Sequence, residues 1–122
     1  MSAAKKTIFV VDDTRSNLQI CNEALNDLYS VFTFTAPAQF FKTLERKAPD
    51  LIILDVEMPE LDGFQVLTLL KNDPRFSQVP VVFMTAYVDE DRKSRGIDLG
   101  AVDFIGKPIE VATLQACIAT HI

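Results

Sequence analysis

The sequence has a single histidine, two cysteines and no long apolar run, and each scarcity argues against a class of protein. No run of apolar residues approaches the roughly 20 residues of a membrane-spanning helix, and residues 1–6 lack the apolar core of a signal peptide. These absences predict a soluble, cytoplasmic protein with no membrane partner. With 17 acidic and 12 basic residues, the net charge of −5 argues against nucleic acid as a direct ligand.

The two cysteines and the histidine are too few for a disulfide framework or a His-rich metal site. Cys21 and Cys117 are far apart in sequence and fall on apolar helix faces. This profile predicts buried free thiols in a reducing compartment and not a disulfide or a metal site. His121 is close to the end of the given sequence, and we interpret it as a solvated residue.

Short apolar runs alternate with longer amphipathic stretches along the whole chain. The runs at 7–11 and 51–54 are apolar on both faces, which indicates strands buried on both sides of a sheet. The predicted strands are 7–11, 30–35, 51–54, 81–84 and 102–105. The predicted helices run from Thr14 to Leu28, from Pro37 to Leu44, from Phe64 to Asn72, from Asp89 to Leu99, and through Val111, Leu114 and Ile118.

Five strand–helix units in strict alternation predict a single α/β domain over residues 1–122. The expected fold is a flavodoxin-like, doubly wound, five-stranded parallel sheet with helices on both faces and strand order 2-1-3-4-5. A hydrophobic content of 48% is ample for its core. In such sheets ligands bind at the carboxyl ends of the strands, near the point where the strand order reverses.

Polar residues end or follow four of the predicted strands at this edge. Asp12 and Asp13 follow strand 1, Asp55 follows strand 3, Thr85 ends strand 4 and Lys107 follows strand 5. Three carboxylates in one crevice repel each other unless a cation binds, and all-oxygen ligands suit Mg²⁺. An amine and a hydroxyl suit phosphoryl oxygens. The set fits phosphoryl transfer, with the carboxylate of Asp55 as the nucleophile that forms an acyl phosphate.

Four segments together resemble the receiver domain of bacterial response regulators in two-component systems. They are Val10–Asp13, Leu54–Gly63, Met84–Ala86 and Lys107–Pro108. Each motif alone is weak, but all four occur in order, at the usual spacings, and the resemblance covers essentially the whole chain. It implies that Asp55 accepts a phosphoryl group from the phosphohistidine of a sensor histidine kinase or a phosphotransfer protein. Such a protein is not a conventional enzyme, since it catalyses its own phosphorylation and slow autodephosphorylation.

The resemblance also implies the metal ligands. Asp13 would bind Mg²⁺ directly and Asp12 mainly through water. The acceptor Asp55 and the backbone carbonyl of Glu57 would supply the further ligands. Mg²⁺ is the one cofactor that the resemblance implies.

Contact with the phosphoryl group and the conformational switch are assigned in the same way. Lys107 would contact the phosphoryl group, across a Lys107–Pro108 bond that is typically cis in the family, and Ala86 would contact it as well. Thr85 would move toward a phosphoryl oxygen, and Phe104 would rotate into the space released. The fourth helix, fifth strand and fifth helix would then form the altered output face. The switch aromatic is often tyrosine in the family, so outputs that need its hydroxyl are not expected from Phe104.

Two further positions tune the lifetime of the phosphoryl group in this family. They are occupied by Glu57, two residues after the acceptor, and Tyr87, two residues after the threonine. The charge of Glu57 and the bulk of Tyr87 would hinder the hydrolytic water, which predicts slow autodephosphorylation.

Family behaviour also implies phosphorylation-promoted homodimerisation through the output face. The two ends of the chain look more like receivers that precede cyclic-di-GMP enzymes or are fused to hybrid kinases. A complete single-domain regulator is the alternative, and the sequence names no output domain or target.

Each site residue also has a structural alternative. Asp12 and Asp13 could cap the first helix, Lys107–Pro108 could be a plain helix start, and Phe104 could be an ordinary core residue. The run Asp89–Lys93 is interpreted as a solvated helix face, for which a partner surface is the alternative.

Three other functions compete with the receiver interpretation. A phosphatase of the haloacid-dehalogenase type would carry an Asp-x-Asp motif after its first strand and a cap domain, and neither is present. A nucleotide-binding domain of the same fold would need a Gly-rich phosphate loop after that strand. Asp12–Arg15 stands there instead, which argues against this function. A pseudo-receiver, a pure interaction module that is not phosphorylated, is the alternative that the intact site residues argue against.

Overall fold

The computed structural model describes residues 5–122, and in this range the chain forms one parallel five-stranded sheet. The strand order is β2-β1-β3-β4-β5, as predicted, and each neighbouring pair is parallel. The strands are β1 (Thr7–Val11), β2 (Ser30–Phe34), β3 (Leu51–Asp55), β4 (Val81–Thr85) and β5 (Asp103–Gly106).

Five helices connect the strands and cover both faces of the sheet within the same range. They are α1 (Arg15–Leu25), α2 (Pro37–Leu44), α3 (Gly63–Lys71), α4 (Glu90–Leu99) and α5 (Val111–His121). The predicted extension of the first helix to Leu28 is wrong, and Leu28 is 69% exposed. The carbonyl of Leu25 accepts hydrogen bonds from the N–H groups of Leu28 and Tyr29, which closes a turn into β2. The other predicted boundaries differ by a few residues at most.

Alternate residues of each central strand enter two separate hydrophobic layers, because successive side chains of a strand point to opposite faces. Phe9 and Val11 pack with residues of α2 and α3, including Phe40 and Leu67. Ile8 and Val10 pack on the other face with residues of α1 and α5. The residues of β1, β3 and β4 are all buried, so the continuous apolar runs correctly predicted strands covered on both sides.

Helix α4 is the least buried of the five described helices. Gly96 is its one buried residue. Asp89 caps the helix by accepting a hydrogen bond from the backbone N–H of Arg92 at 2.8 Å, and Gly100 ends it with a φ of 113°. None of the described helices is long and apolar enough to cross a membrane.

The cysteines and the histidine depart in part from their sequence interpretation. Cys21 is fully buried, as expected, whereas Cys117 is half-buried. The interpretation of His121 as a solvated residue is wrong, because its side chain is 24% exposed and its Nε2 lies 3.1 Å from an oxygen of Asp103. Burial and the nearby Asp12 charge raise the pKa of Cys21 to about 12, so this thiol stays protonated.

Candidate functional site

Two buried carboxylates lie at the carboxyl ends of adjacent strands. Asp12 follows β1 and Asp55 is the last residue of β3, and both are fully buried. Asp13 is exposed beside them, and one oxygen from each of the three carboxylates lies within 4.8 Å of the others. The structure therefore brings the three predicted carboxylates into one cluster because β1 and β3 are neighbours in the sheet.

Lys107 lies between the two buried carboxylates. Its Nζ donates to Asp55 Oδ1 at 2.9 Å and lies 3.1 Å from Asp12 Oδ2. The backbone N–H of Lys107 donates to the carbonyl of Thr85, which continues the pairing of β5 with β4 past the end of the strand. The Lys107–Pro108 peptide bond is cis, and α5 begins only at Val111, so Pro108 is not a first helical residue. The alternative that Lys107–Pro108 is a plain helix start is therefore wrong.

The site holds more negative charge than Lys107 neutralises. Burial raises the pKa of Asp55 to about 7; Asp12 adds to the rise, and the hydrogen bond from Lys107 opposes it. Burial alone would lower the pKa of Lys107, but its contacts with Asp55 and Asp12 outweigh burial and raise it. The lysine therefore stays charged, while burial disfavours the ionised form of the Asp55 carboxyl group.

Two buried carboxylate oxygens that accept no hydrogen bond within residues 5–122 suit a bound cation. Asp55 Oδ2 has no hydrogen-bond partner among residues 5–122, and Asp12 Oδ2 has only its ion pair with Lys107. Orphaned buried carboxylate oxygens are costly unless a cation or a donor satisfies them. Three carboxylates with one ammonium leave a deficit of two positive charges, and hard oxygen donors suit Mg²⁺. The residues present therefore fit the predicted magnesium ion.

The capping alternative for Asp12 and Asp13 is wrong as a description of α1. The residue at the N-cap position is Thr14, and its side chain makes no capping hydrogen bond. Asp12 Oδ1 instead accepts a hydrogen bond from the backbone N–H of Thr14 at 2.8 Å. This contact fixes one oxygen of Asp12 and leaves the other facing Asp55 and Lys107.

The backbone after Asp55 approaches α3 so closely that only glycine fits. A Cβ on Gly63 would lie 2.4 Å from the carbonyl oxygen of Asp55 and 2.9 Å from Cα of Val56. The N–H of Gly63 donates to the carbonyl of Val56. The N–H of Glu57 donates to Asp55 Oδ1 at 3.2 Å, so the turn after β3 helps to orient the Asp55 carboxylate.

Thr85 is tied to Glu57 and, through it, to α4. The fully buried Thr85 lies with its Oγ1 2.8 and 3.0 Å from the two carboxylate oxygens of Glu57. Arg92 donates to the same carboxylate at 2.9 Å. Sequence reasoning missed Arg92, which it placed on a solvated face, and the 35 residues that separate it from Glu57 carry no signal of this contact.

The rim of the site is formed by the residues after Thr85. The backbone N–H of Tyr87 donates to Thr85 Oγ1 at 3.0 Å, while the Tyr87 side chain is 59% exposed. The guanidinium carbon of Arg92 lies 5.2 Å from the centre of the Tyr87 ring, a cation–π contact. Ala86, which lies between Thr85 and Tyr87 in the sequence, is exposed. Glu57 and Tyr87 thus lie at the same rim, as their predicted role requires.

Phe104 is half-buried between β4 and α4, outside the carboxylate cluster. Its ring centre lies 5.3 Å from that of Phe83, and its ring occupies the space where Gly96 has no side chain. A Cβ on Gly96 would lie 2.3 Å from Cζ of Phe104. The ring therefore links β5 directly to the middle of α4.

This fold and this carboxylate site are those of a receiver in two-component signalling. The family model of the response regulator receiver domain matches residues 8–119. The chain belongs to the response regulator receiver domain family.

Among its relatives, the response regulator PleD of Caulobacter vibrioides is 38% identical over 110 residues, which are 89% of this chain and 24% of that protein. A probable cyclic di-GMP phosphodiesterase of Vibrio cholerae is 30% identical over 116 residues, 95% of this chain and 26% of that protein. The chain thus spans about a quarter of the length of these relatives. The chemotaxis protein CheY4 of Vibrio cholerae has a similar structure, with a TM-score of 0.92 and 25% identity, covering 98% of this chain and all of that one.

Proposed function

We propose that this receiver accepts a phosphoryl group on Asp55 from a phosphohistidine of a sensor histidine kinase or a phosphotransfer protein. The observation that carries the proposal is the buried Asp55 carboxylate, with one oxygen held by Lys107 and the other without a hydrogen-bond partner among residues 5–122. A structural carboxylate at this depth would be fully paired. An oxygen left free beside an ammonium suits a nucleophile.

In the transfer, a carboxylate oxygen of Asp55 attacks phosphorus in line with the leaving nitrogen. A P–O bond forms, the P–N bond to the donor histidine breaks, and the electron pair returns to the imidazole. Lys107 is placed to neutralise a phosphoryl oxygen as it leaves its contact with Asp55. Asp55 is fully buried in this structure, so side chains above it must move before the donor can reach it.

Mg²⁺ would be held by Asp12, Asp13, Asp55 and the backbone carbonyl of Glu57, and it would supply positive charge to the phosphoryl oxygens. The resident side chains do the remaining work. Asp12 and Asp13 keep the site anionic enough to retain a divalent cation. The exposed Ala86 leaves room for a phosphoryl oxygen beside Thr85.

The contacts of Thr85 and Arg92 with Glu57 couple phosphorylation of Asp55 to movement of α4. A phosphoryl oxygen on Asp55 competes with Glu57 for the Thr85 hydroxyl, and its negative charge repels the Glu57 carboxylate. Glu57 is ion-paired with Arg92 near the start of α4, so its displacement pulls on that helix. Movement of α4 changes the contact of Gly96 with Phe104, and the surface of α4, β5 and α5 changes with it.

This surface is the proposed output face, and it also suits phosphorylation-promoted pairing of two copies. Exposed apolar side chains at Ile97, Val102 and Val111 lie on or beside its elements. The length of the relatives is consistent with an output domain elsewhere in a longer protein.

The direct test is an intact-mass measurement after incubation with Mg²⁺ and acetyl phosphate. We expect one added phosphoryl group on the wild type and on Asp27→Asn, an exposed carboxylate used as the matched control. Asp55→Asn should gain none. The adduct should require Mg²⁺ and be released by hydroxylamine, as an acyl phosphate is.

A phosphorylated kinase serves as the second donor if acetyl phosphate fails. An adduct that persists in Asp55→Asn would place the phosphoryl group elsewhere and overturn the assignment. Absence of any adduct with both donors would favour the pseudo-receiver, an interaction module that keeps the site without the chemistry.

A further inference from the structure

Three side chains with different metal-binding groups meet on the face formed by β5 and α5, away from the carboxylate cluster. Asp103 Oδ2 lies 3.1 Å from His121 Nε2 and 3.5 Å from Cys117 Sγ. One ligand atom from each of the three residues lies within 4.8 Å of the others. The cluster joins the first residue of β5 to the last turn of α5.

The helix geometry explains why these three groups converge. Cys117 and His121 are four residues apart on α5, so their side chains lie on the same side of the helix, one turn apart. Leu114 and Ile118 are fully buried and hold α5 against the sheet. This packing brings Cys117 and His121 over Asp103, whose side chain remains 47% exposed.

We propose that Asp103, Cys117 and His121 form a Zn²⁺ site with three protein ligands and water at the fourth position. Tetrahedral zinc with bonds of about 2.3 Å to sulfur and about 2.0 Å to oxygen and nitrogen separates the sulfur and oxygen ligands by about 3.5 Å. The same geometry separates the oxygen and nitrogen ligands by about 3.3 Å. The structure pairs these groups through hydrogen bonds of 3.5 and 3.1 Å, so zinc could replace the shared protons with only small shifts of the side chains.

The ligand types of Asp103, Cys117 and His121 favour zinc, a metal of borderline softness, over the Mg²⁺ proposed for the carboxylate cluster. Thiolate and imidazole ligands suit zinc, whereas Mg²⁺ prefers oxygen ligands. The partial exposure of Asp103 leaves the open side that a bound water needs.

A metal here would act on the output side of the domain. Asp103 Oδ1 accepts a hydrogen bond from the backbone N–H of Phe104 at 2.8 Å. Zinc bound to the other oxygen would fasten β5 to α5 directly beside Phe104. The site shares no residue with the phosphoryl chemistry, so the inference stands or fails independently of the proposed function.

The test is titration of the reduced, full chain with Co²⁺ and then Zn²⁺, in excess Mg²⁺ to fill the carboxylate cluster. We expect about one equivalent of Co²⁺ to bind with a thiolate-to-metal absorption band, which Zn²⁺ displaces. The carboxylate cluster contains no sulfur and cannot give this band. Zn²⁺ affinity, measured against a chromophoric chelator, should fall by more than about 100-fold in Cys117→Ser, since loss of a direct ligand exceeds the effect of an outer-shell change.

Two further variants keep the result unambiguous. His121→Asn removes the imidazole from a partly buried position and should weaken binding similarly, and circular dichroism checks that each variant is folded. Cys21→Ala, the other cysteine, should keep the band. A missing band in the wild type, a band that survives in Cys117→Ser, or one lost only in Cys21→Ala would overturn the proposal.

Discussion

Replacing Asp55 with asparagine should stabilise the metal-free protein at neutral and alkaline pH. Asp55 is fully buried, and one of its oxygens has no hydrogen-bond partner among the described residues. Its pKa is raised from 3.8 to about 7, mainly by burial. The folded state therefore binds a proton more tightly than the unfolded state, and ionisation of Asp55 opposes folding as the pH rises between these two values.

The pKa difference sets the size of the effect. A rise of about three units corresponds to at most about 4 kcal/mol of lost stability once both states are ionised. The buried amide of the asparagine lacks a full set of hydrogen-bond partners, which costs about 1 kcal/mol of this difference. We therefore expect the free energy of unfolding of Asp55→Asn to exceed that of the wild type by about 2–3 kcal/mol at about pH 8. At about pH 5.5 only about half of the penalty has developed, so the advantage of the variant should shrink by about 2 kcal/mol.

The assay is urea unfolding followed by far-ultraviolet circular dichroism in a chelating buffer, because the chain has no tryptophan to report by fluorescence. Asp27→Asn, an exposed carboxylate, is the control and should change stability by less than about 0.5 kcal/mol at either pH. Added Mg²⁺ should stabilise the wild type more than Asp55→Asn. A variant no more stable than the wild type at alkaline pH, or an advantage that does not change with pH, would refute the reasoning.

The contacts around the carboxylate cluster and along α4 give three further predictions. Gly63→Ala should lower the free energy of unfolding by about 2 kcal/mol or more, measured by urea unfolding, because its Cβ meets a backbone oxygen at 2.4 Å that cannot move aside. Gly96→Ala should cost about 1–2 kcal/mol by displacing the Phe104 ring. A double-mutant cycle should show a smaller cost in a Phe104→Ala background, and equal costs in both backgrounds would contradict the contact. The Glu57→Asn, Tyr87→Ala double variant should lose its phosphoryl group at least about threefold faster than the wild type, as followed by intact mass over time, and an unchanged or slower decay would contradict the predicted shielding.

The sequence determined the topology and which strand-end polar residues share one edge of the sheet. Continuous apolar runs predicted strands buried on both faces, because a strand covered on both sides has no polar face to alternate with. Strict strand–helix alternation implies parallel strands, and parallel strands place their carboxyl ends at one edge. The order of the strands then sufficed to bring Asp12, Asp13, Asp55, Thr85 and Lys107 together, without knowledge of any side-chain contact.

The same reasoning predicts the ends of helices less well. Leu28 continues the three- and four-residue spacing of the first helix, yet the helix ends at Leu25. A repeat of apolar residues reports which residues could share a helix face, but the end of a helix depends on how the chain must turn to enter the next strand. Here that turn uses the carbonyl of Leu25, and Leu28 is left exposed.

Only the tertiary structure decided which side chains pair across distant elements. Arg92 reaches Glu57 across 35 residues, and Asp103 meets Cys117 and His121 across the contact of β5 with α5. The low numbers of cysteine and histidine argued against a metal site, because each residue type was counted separately. The folded chain brings together one residue of each type: a carboxylate, a thiol and an imidazole. Such pairings depend on the distance and rotation between a packed helix and its strand, which hydrophobic periodicity leaves open.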